Sequence, residues 1–271
     1  MSRVDSPLPV LERYELKFTV PWHQVDAMCE FISPYCQPDK HSALSGDGFY
    51  QVNSLYFDTP EYLFLRNRLN GLENRFNMRV RTYGPKPVLP YFLEVKQKRG
   101  DIIRKYRARI KDPDLAKVLD HAVPSEGCLV SEGEAENAAL FRRLAHTYNA
   151  QPVLMTSYRR RAFFSECDDY ARVTFDVGLR FKPLTEYHPF DVGDDLAPSD
   201  VEGIFDEGAS VILELKCYSQ YVPLWMVDMI RCFDLRRRGF SKYSAGAAQV
   251  FQRSKFDDSL MVSPWGDFNK E

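Results

Sequence analysis

Polar and apolar residues alternate along much of this chain. Alternation at period two marks a strand with one buried face. It runs over Arg13–Val20, Tyr50–Phe57, Phe76–Tyr83, Tyr91–Lys98, Ile102–Ile110, Val153–Phe164, Ala171–Phe181 and Ser210–Cys217, segments also rich in aromatic and β-branched residues. Arg99-Gly100-Asp101 interrupts two of them and reads as a hairpin turn. Helical periodicity is rarer. Pro21–Ile32 places Val25, Met28, Cys29 and Ile32 on one face, behind a proline suited to a first turn. Glu61–Leu69 stops just before Gly71, a residue suited to the position after a helix. Asp114–His121, Glu134–Tyr148 and Val222–Leu235 are the other predicted helices. Strands follow one another directly, which predicts an antiparallel α+β fold over a doubly wound parallel sheet. With no repeat and no linker, the expectation is one domain over 1–271, its core spanning about 11–250.

Composition narrows the function classes. The chain has 271 residues, 44% hydrophobic and 27% charged, as globular domains have, which excludes disordered, collagen-like and disulfide-stapled classes. Lys plus Arg number 36 against 38 Asp plus Glu, so no globally basic nucleic-acid binder is expected. No stretch approaches the roughly 20 apolar residues that cross a bilayer, and no apolar run follows the N-terminus. A cytoplasmic protein with no membrane segment is the expectation. The six cysteines are scattered without CxxC spacing and are expected as reduced, mostly buried thiols. The five histidines stand alone and receive no role. Neither a P-loop nor a G-x-G-x-x-G turn is present.

Charge placement changes the picture. Between Arg79 and Arg109 there are ten basic residues and two acids. Between Glu186 and Glu207 there are eight acids and no Lys or Arg, which reads as a solvated acidic loop. On the strands, one face repeatedly carries charge. Arg13, Glu15 and Lys17 share a face, as do Arg79 and Arg81, then Glu94, Lys96 and Lys98, then Arg107 and Arg109. Arg172, Thr174 and Asp176 repeat the pattern, and so do Glu214 and Lys216. One reading is an ordinary sheet with a wet face. The pattern recurs on six strands, always with Arg or Lys, and three times in a Glu-x-Lys frame. That favours faces that converge on a focused positive lumen. Packed like charges need a counter-charge, which a chain of phosphates supplies through bidentate Arg contacts. The glutamates would then hold a divalent metal bridging phosphate oxygens. Elsewhere, Asp58 is expected to cap the helix after Thr59-Pro60, and Arg159 and Arg161 to face away from Arg160. Arg236–Arg238 is expected to favour the C-terminus of the preceding helix.

Eight motifs in order carry a resemblance. Arg-Tyr-Glu-Leu-Lys-Phe (13–18), Leu-Tyr-Phe-Asp-Thr (55–59), Met-Arg-Val-Arg-Thr-Tyr (78–83) and Phe-Leu-Glu-Val-Lys (92–96) come first. Tyr-Arg-Arg-Arg-Ala-Phe (158–163), Arg-Val-Thr-Phe-Asp (172–176), Ile-Leu-Glu-Leu-Lys (212–216) and Ser-Lys-Tyr (241–243) follow. Together they resemble the vacuolar transporter chaperone (VTC) polyphosphate polymerase domain, one of the CYTH-related triphosphate tunnel metalloenzymes. The resemblance implies an antiparallel β-barrel, the triphosphate tunnel, with helices packed outside. It implies that Arg79 and Arg81 contact a nucleotide triphosphate and that Lys17, Lys96, Arg160, Arg172 and Lys242 line the tunnel. A further phosphate position falls on Lys105 or Arg104. Lys98, Arg107 and Lys216 join as substrate-binding candidates. Glu214 would hold Mn²⁺ or Mg²⁺, with Glu15 and Glu94 as candidate second acids. The implied reaction moves the ATP γ-phosphate onto a growing polyphosphate chain, so ATP and inorganic polyphosphate are the implied partners. Arg13 stands where hydrolytic CYTH relatives begin with Glu, which weakens a two-metal hydrolytic site. A triphosphate hydrolase and a non-catalytic polyphosphate or nucleotide-binding module remain the alternatives.

Overall fold

The computed structural model describes residues 13–86, 88–100, 102–120, 128–187, 197–198, 210–218 and 221–253. Its centre is one antiparallel sheet of ten strands. These are β1 (Arg13–Val20), β2 (Cys36–Pro38), β3 (Tyr50–Asp58), β4 (Arg75–Tyr83), β5 (Tyr91–Arg99), β6 (Ile102–Ile110), β7 (Gln151–Ser165), β8 (Ala171–Pro183), β9 (Ala197–Pro198) and β10 (Val211–Tyr218). The order is β1-β10-β8-β7-β3-β4-β5-β6, with β2 added to β7 and β9 to β8. All eight predicted strands are present, within a few residues. The acidic stretch, apart from Glu186, Tyr187 and Ala197–Pro198, lies outside the described residues.

The helices are α1 (Val25–Ile32), α2 (Lys40–Leu44), α3 (Leu63–Leu69), α4 (Leu115–Asp120), α5 (Ala135–Thr147), α6 (Leu224–Cys232) and α7 (Lys242–Arg253). The predicted first helix divides into a 3₁₀ turn, Trp22–Gln24, and α1. Apolar faces place the outer helices. Ala138 and Phe141 of α5 and Leu115 of α4 pack on Met78, Val80, Leu93 and Ala108. Met28 and Ile32 of α1 and Met226 and Met229 of α6 pack on Phe18, Val173, Leu213 and Leu215. Asp58 ties α3 to the sheet as expected. Its carboxylate accepts from the backbone N–H groups of Thr59, Phe64 and Leu65 at 2.7–2.9 Å. It also accepts from the Tyr243 hydroxyl at 2.6 Å.

Helix α7 was not predicted, and it lies on the concave side of the sheet. Its Tyr243 and Ala247 pack on Val52, Tyr56, Leu154 and Tyr158. Its contact face is made of small residues because the backbone comes close: a Cβ at Gly246 would sit 2.5 Å from the Phe181 ring. Tyr243, Ala247 and Val250 recur at helical spacing, a readable signal that sequence reasoning passed over. Strand β2 and helix α2 were missed because each is shorter than a recognisable period. Arg236–Arg238 also differs from expectation. Helix α6 ends at Cys232, and the run lies along β1 instead, with the Arg238 N–H donating to the Lys17 carbonyl at 2.9 Å.

The sheet curls until its two ends approach. Among the described residues no strand pairing joins β1 to β6; side chains bridge the seam, Lys96 of β5 donating to Glu15 of β1 at 3.0 Å. The result is an open, tunnel-like barrel.

A cationic cavity on the concave face

The curl turns most of the charged strand positions inward. Inside is a cavity of about 600 Å³ lined by eleven Lys and Arg side chains: Lys17, Arg68, Arg75, Arg79, Arg81, Lys96, Lys98, Lys105, Arg160, Lys216 and Lys242. Among the described residues only two carboxylates, Glu15 and Glu214, line it with them. Strand register explains the Glu-x-Lys frame. Strands β1 and β10 run antiparallel with Lys17 opposite Glu214 and Glu15 opposite Lys216, so each acid meets a base across the ladder.

Glu94 is the first of three carboxylate centres. It lies behind the lining at 1% exposure. Arg79 donates to its Oε2 from Nε at 2.8 Å, while Arg107 Nε and Lys105 Nζ reach its Oε1 at 2.8 and 2.7 Å. Arg81 approaches to 3.9 Å. Burial alone would raise the Glu94 pKa, but Arg81, Arg79, Lys105 and Arg107 outweigh it and hold the carboxyl well below its usual range. Arg79 also donates to the Tyr56 hydroxyl at 3.1 Å, which locks its guanidinium. Lys105 bears the cost of this crowding: burial, with Arg81, Arg79 and Arg107 close by, pushes it down to about 6 despite Glu94.

Asp176 is the second centre. Arg160 grips it with two bonds, Nε to Oδ1 at 2.6 Å and Nη2 to Oδ2 at 2.7 Å. Lys242, the first residue of α7, donates to Oδ2 at 2.6 Å. Both cations also lie over the Tyr158 ring. Burial raises the Asp176 pKa, yet Arg160 and Lys242 bring it down to about 2.

Glu15 and Glu214 form the third centre, and it differs in kind. The two carboxyls contact each other. Lys17 stands 3.0 Å from Glu15 and 3.7 Å from Glu214, and Lys216 lies 3.3 Å from Glu214. Burial opposes ionisation of Glu214, but Lys216, Lys17, a hydrogen bond with Glu15, and Arg160 keep it well below the usual range. Adjacent carboxylates repel, and a hard divalent cation relieves that repulsion with oxygen ligands. This pair therefore fits a metal. Glu94 fits one less well: it lies behind the lining with Arg79, Arg107 and Lys105 at 2.8 Å or less, whereas Lys216, the nearest cation to Glu214, stands 3.3 Å away on the cavity wall. Among the described residues no three His, Cys, Asp or Glu side chains are grouped to hold a metal ion.

The VTC domain model matches residues 12–251, nearly the whole chain. The chain belongs to the VTC domain family. Among curated relatives, vacuolar transporter chaperone complex subunit 4 of Trypanosoma brucei brucei (strain 927/4 GUTat10.1) is 25% identical over 248 residues. The same subunit of Trypanosoma cruzi (strain CL Brener) is 24% identical over 242. Each match covers 79% of this chain and 30% of the relative, so the chain spans less than a third of their length. The solved structure of PH1819 protein from Pyrococcus horikoshii OT3 aligns over 90% of this chain and 99% of that one, at 11% identity and a TM-score of 0.42.

In this VTC domain the cavity lining gathers Lys17, Arg79, Arg81, Lys96, Lys98, Lys105, Arg160, Lys216, Lys242, Glu15 and Glu214 of the candidates named from sequence. Four others lie elsewhere. Glu94 is buried behind the lining. Arg107 reaches Glu94 while its guanidinium lies 5.0 Å over the Phe92 ring, off the lining. Arg172 donates to Asp39 at 3.4 Å. Arg104 is exposed and shares a strand face with Ala108 and Ile110, away from the cavity, so Lys105 is the one that lines it. Sequence reasoning missed Asp176 as a site residue, although it shares a face with Arg172. It also missed Arg68, Arg75, Tyr56, Tyr158 and Tyr243. Arg68 enters from α3, where it donates to Ser244 of α7 at 3.1 Å, a contact that no local pattern announces.

Proposed function

We propose that this chain is a polyphosphate polymerase that transfers the ATP γ-phosphate to the end of a polyphosphate chain inside the cavity. One observation carries the reading. Among the described residues, eleven lining Lys and Arg side chains face four carboxylates, Glu15, Glu214, Glu94 and Asp176, so even with Lys105 neutral the enclosed space holds a large excess of positive charge. That excess is larger than a nucleoside triphosphate neutralises, so it suits a donor and an acceptor chain held together. A hydrolase needs only the donor.

In the reaction, a terminal oxygen of the chain attacks the γ-phosphorus and forms a new P–O–P link. The bond from that phosphorus to the β,γ-bridging oxygen breaks, and ADP leaves with the electron pair. The attacking oxygen is already anionic, so no general base is required. Such transfer depends on alignment and charge neutralisation. Arg81, Arg160 and Lys242, held by their buried carboxylates, would meet the phosphoryl oxygens in fixed orientation. Lys17, Lys96, Lys98 and Lys216 would hold the rest of the chain. Glu214 and Glu15 would hold Mn²⁺ or Mg²⁺, which would supply further neutralisation of phosphate charge.

The test is incubation with ATP and Mn²⁺, with products resolved for polyphosphate and free phosphate assayed in parallel. Chains that disappear in Arg81→Ala and Glu214→Gln are the expected result. Free phosphate without chains would make the protein a hydrolase. Bound ATP without either product would make it a binding module.

A further inference from the structure

Asp58 is buried and does not line the cavity. Its three bonds to backbone N–H groups already cap α3. The fourth, from the Tyr243 hydroxyl, lies outside that cap and pins the first turn of α7 against the end of β3. The Tyr243 ring has a second seat: it stacks on the Tyr56 ring at 4.9 Å and 13°. Tyr56 in turn accepts from Arg79, its partner across the ladder. On the other side, the chain neighbour Lys242 donates to Asp176, which Arg160 grips. Tyr243 therefore stands between two groups of cations, each anchored on its own buried carboxylate. Arg79 and Arg81 belong to Glu94, and Arg160 and Lys242 to Asp176.

We propose that Tyr243 is a positioning residue that sets the distance between these two groups, so that the donor and acceptor phosphates they hold meet in line. The proposal rests on the reading of the cavity as a site of phosphoryl transfer. The hydroxyl is not a reacting group. Burial and the neighbouring Asp58 push its pKa up, so it keeps its proton at every working pH, and it is spent on a carboxylate that does not line the cavity. What the bond fixes is where α7, and with it Lys242, stops along the sheet. Transfer without a general base depends on alignment, and a displacement of about 1 Å costs on the order of a hundredfold in rate.

The experiment is Tyr243→Phe in the full chain, which keeps the ring and its stack and removes the bond to Asp58. Conversion of ATP to polyphosphate is followed across pH, with calorimetry of ATP and inorganic tripolyphosphate and a urea midpoint alongside. The expected result is a kcat lower by about tenfold or more. KM for ATP and both affinities should stay within about twofold, and the pH–rate profile should keep its shape. A tyrosine with a structural role alone would shift the urea midpoint and leave kcat unchanged, and that outcome overturns the proposal. A parallel loss of binding and turnover overturns it too, as does the loss of one limb of the profile. If the variant does not fold, Tyr56→Phe decides, because it keeps the Asp58 bond and frees Arg79 from the same support. The same split between kcat and KM is expected there, and an unchanged kcat overturns the proposal. The parent alone reports on the functional reading: if it makes no polyphosphate, that reading fails and this role with it.

Discussion

Strands β5 and β10 carry nearly the same sequence, Leu93-Glu94-Val95-Lys96 and Leu213-Glu214-Leu215-Lys216. Their glutamates end in opposite situations. The strands beside β5 present Arg79 and Arg107 directly across from Glu94, and Lys105 and Arg81 close in from the flanks. That carboxylate becomes an internal counter-ion. The strands beside β10 present Lys17 and the uncharged Thr174 across from Glu214, and Glu15 leans in from β1. That carboxylate keeps a partner of its own charge and stays on the cavity wall. The same local frame thus yields a structural anchor in one half of the barrel and a candidate cation site in the other. Cross-strand neighbours decide which.

The contrast breaks most sharply under substitution. Glu94→Gln removes the counter-charge from Arg79, Arg81 and Arg107 at once and the hydrogen-bond partner of Lys105, and losing one member of a buried ion cluster costs roughly 3–5 kcal/mol. Urea denaturation should place the variant at the low end of that range, because Lys105 and Arg107 keep some access to water. Glu214→Gln should also destabilise, because against the effect of burial Lys216, Lys17 and Arg160 hold that carboxyl well below its usual range, but by less than Glu94→Gln, since it relieves the repulsion from Glu15. Equal losses in the two variants would show that the two glutamates are equivalent.

A second, smaller effect follows acid. Asp176 is held at about 2 in the folded chain. A depressed carboxyl stabilises the fold above its unfolded pKa, near 3.9, and the contribution disappears as pH falls towards the folded value. Stability should therefore drop between about pH 4 and pH 2. Asp176→Asn should flatten this part of the profile, measured by denaturation at a series of pH values. A slope unchanged in the variant would place the acid sensitivity elsewhere, with Glu94 and Glu214 the next candidates.

The smallest effect sharpens the Glu94 side. With a pKa pushed down to about 6, Lys105 is largely neutral above that pH in the empty cavity. A bound polyanion raises that pKa, so binding takes up a proton. Polyphosphate affinity should weaken as pH rises from 6 towards 8, by at most about tenfold per unit for one proton. Calorimetry in buffers of different ionisation enthalpy reads the uptake directly, and Lys105→Met should abolish it. Equal uptake in that variant would assign the proton to another group.

Much of this architecture was legible in advance because its causes are local. Period-two alternation depends only on the pleat, so eight strands and their charged faces could be read residue by residue. The turn around Gly100 and the cap at Asp58 are equally local. Arg104 and Lys105 are neighbours in sequence and look interchangeable, yet one lines the cavity and the other faces outward. Helix α7 carries Tyr243, Ala247 and Val250 at helical spacing, a legible signal that was passed over, although it delivers Lys242 and Tyr243 to the site.

The chain's own pattern of residues therefore determined the strands, the antiparallel α+β class and the concentration of Arg and Lys on one face of each strand. It could not determine which carboxylate each cation would meet. Lys96 and Glu15 are 81 positions apart, and Lys17 holds the carbonyl of Phe240 from 223 positions away. Such pairings exist only once the sheet has curled and brought its two edges together. The lysine that stays available, the arginine that is locked and the pair of acids that fits a cation are properties of that closure. Electrostatic energy depends on distance through space, which the order of residues along a chain does not contain.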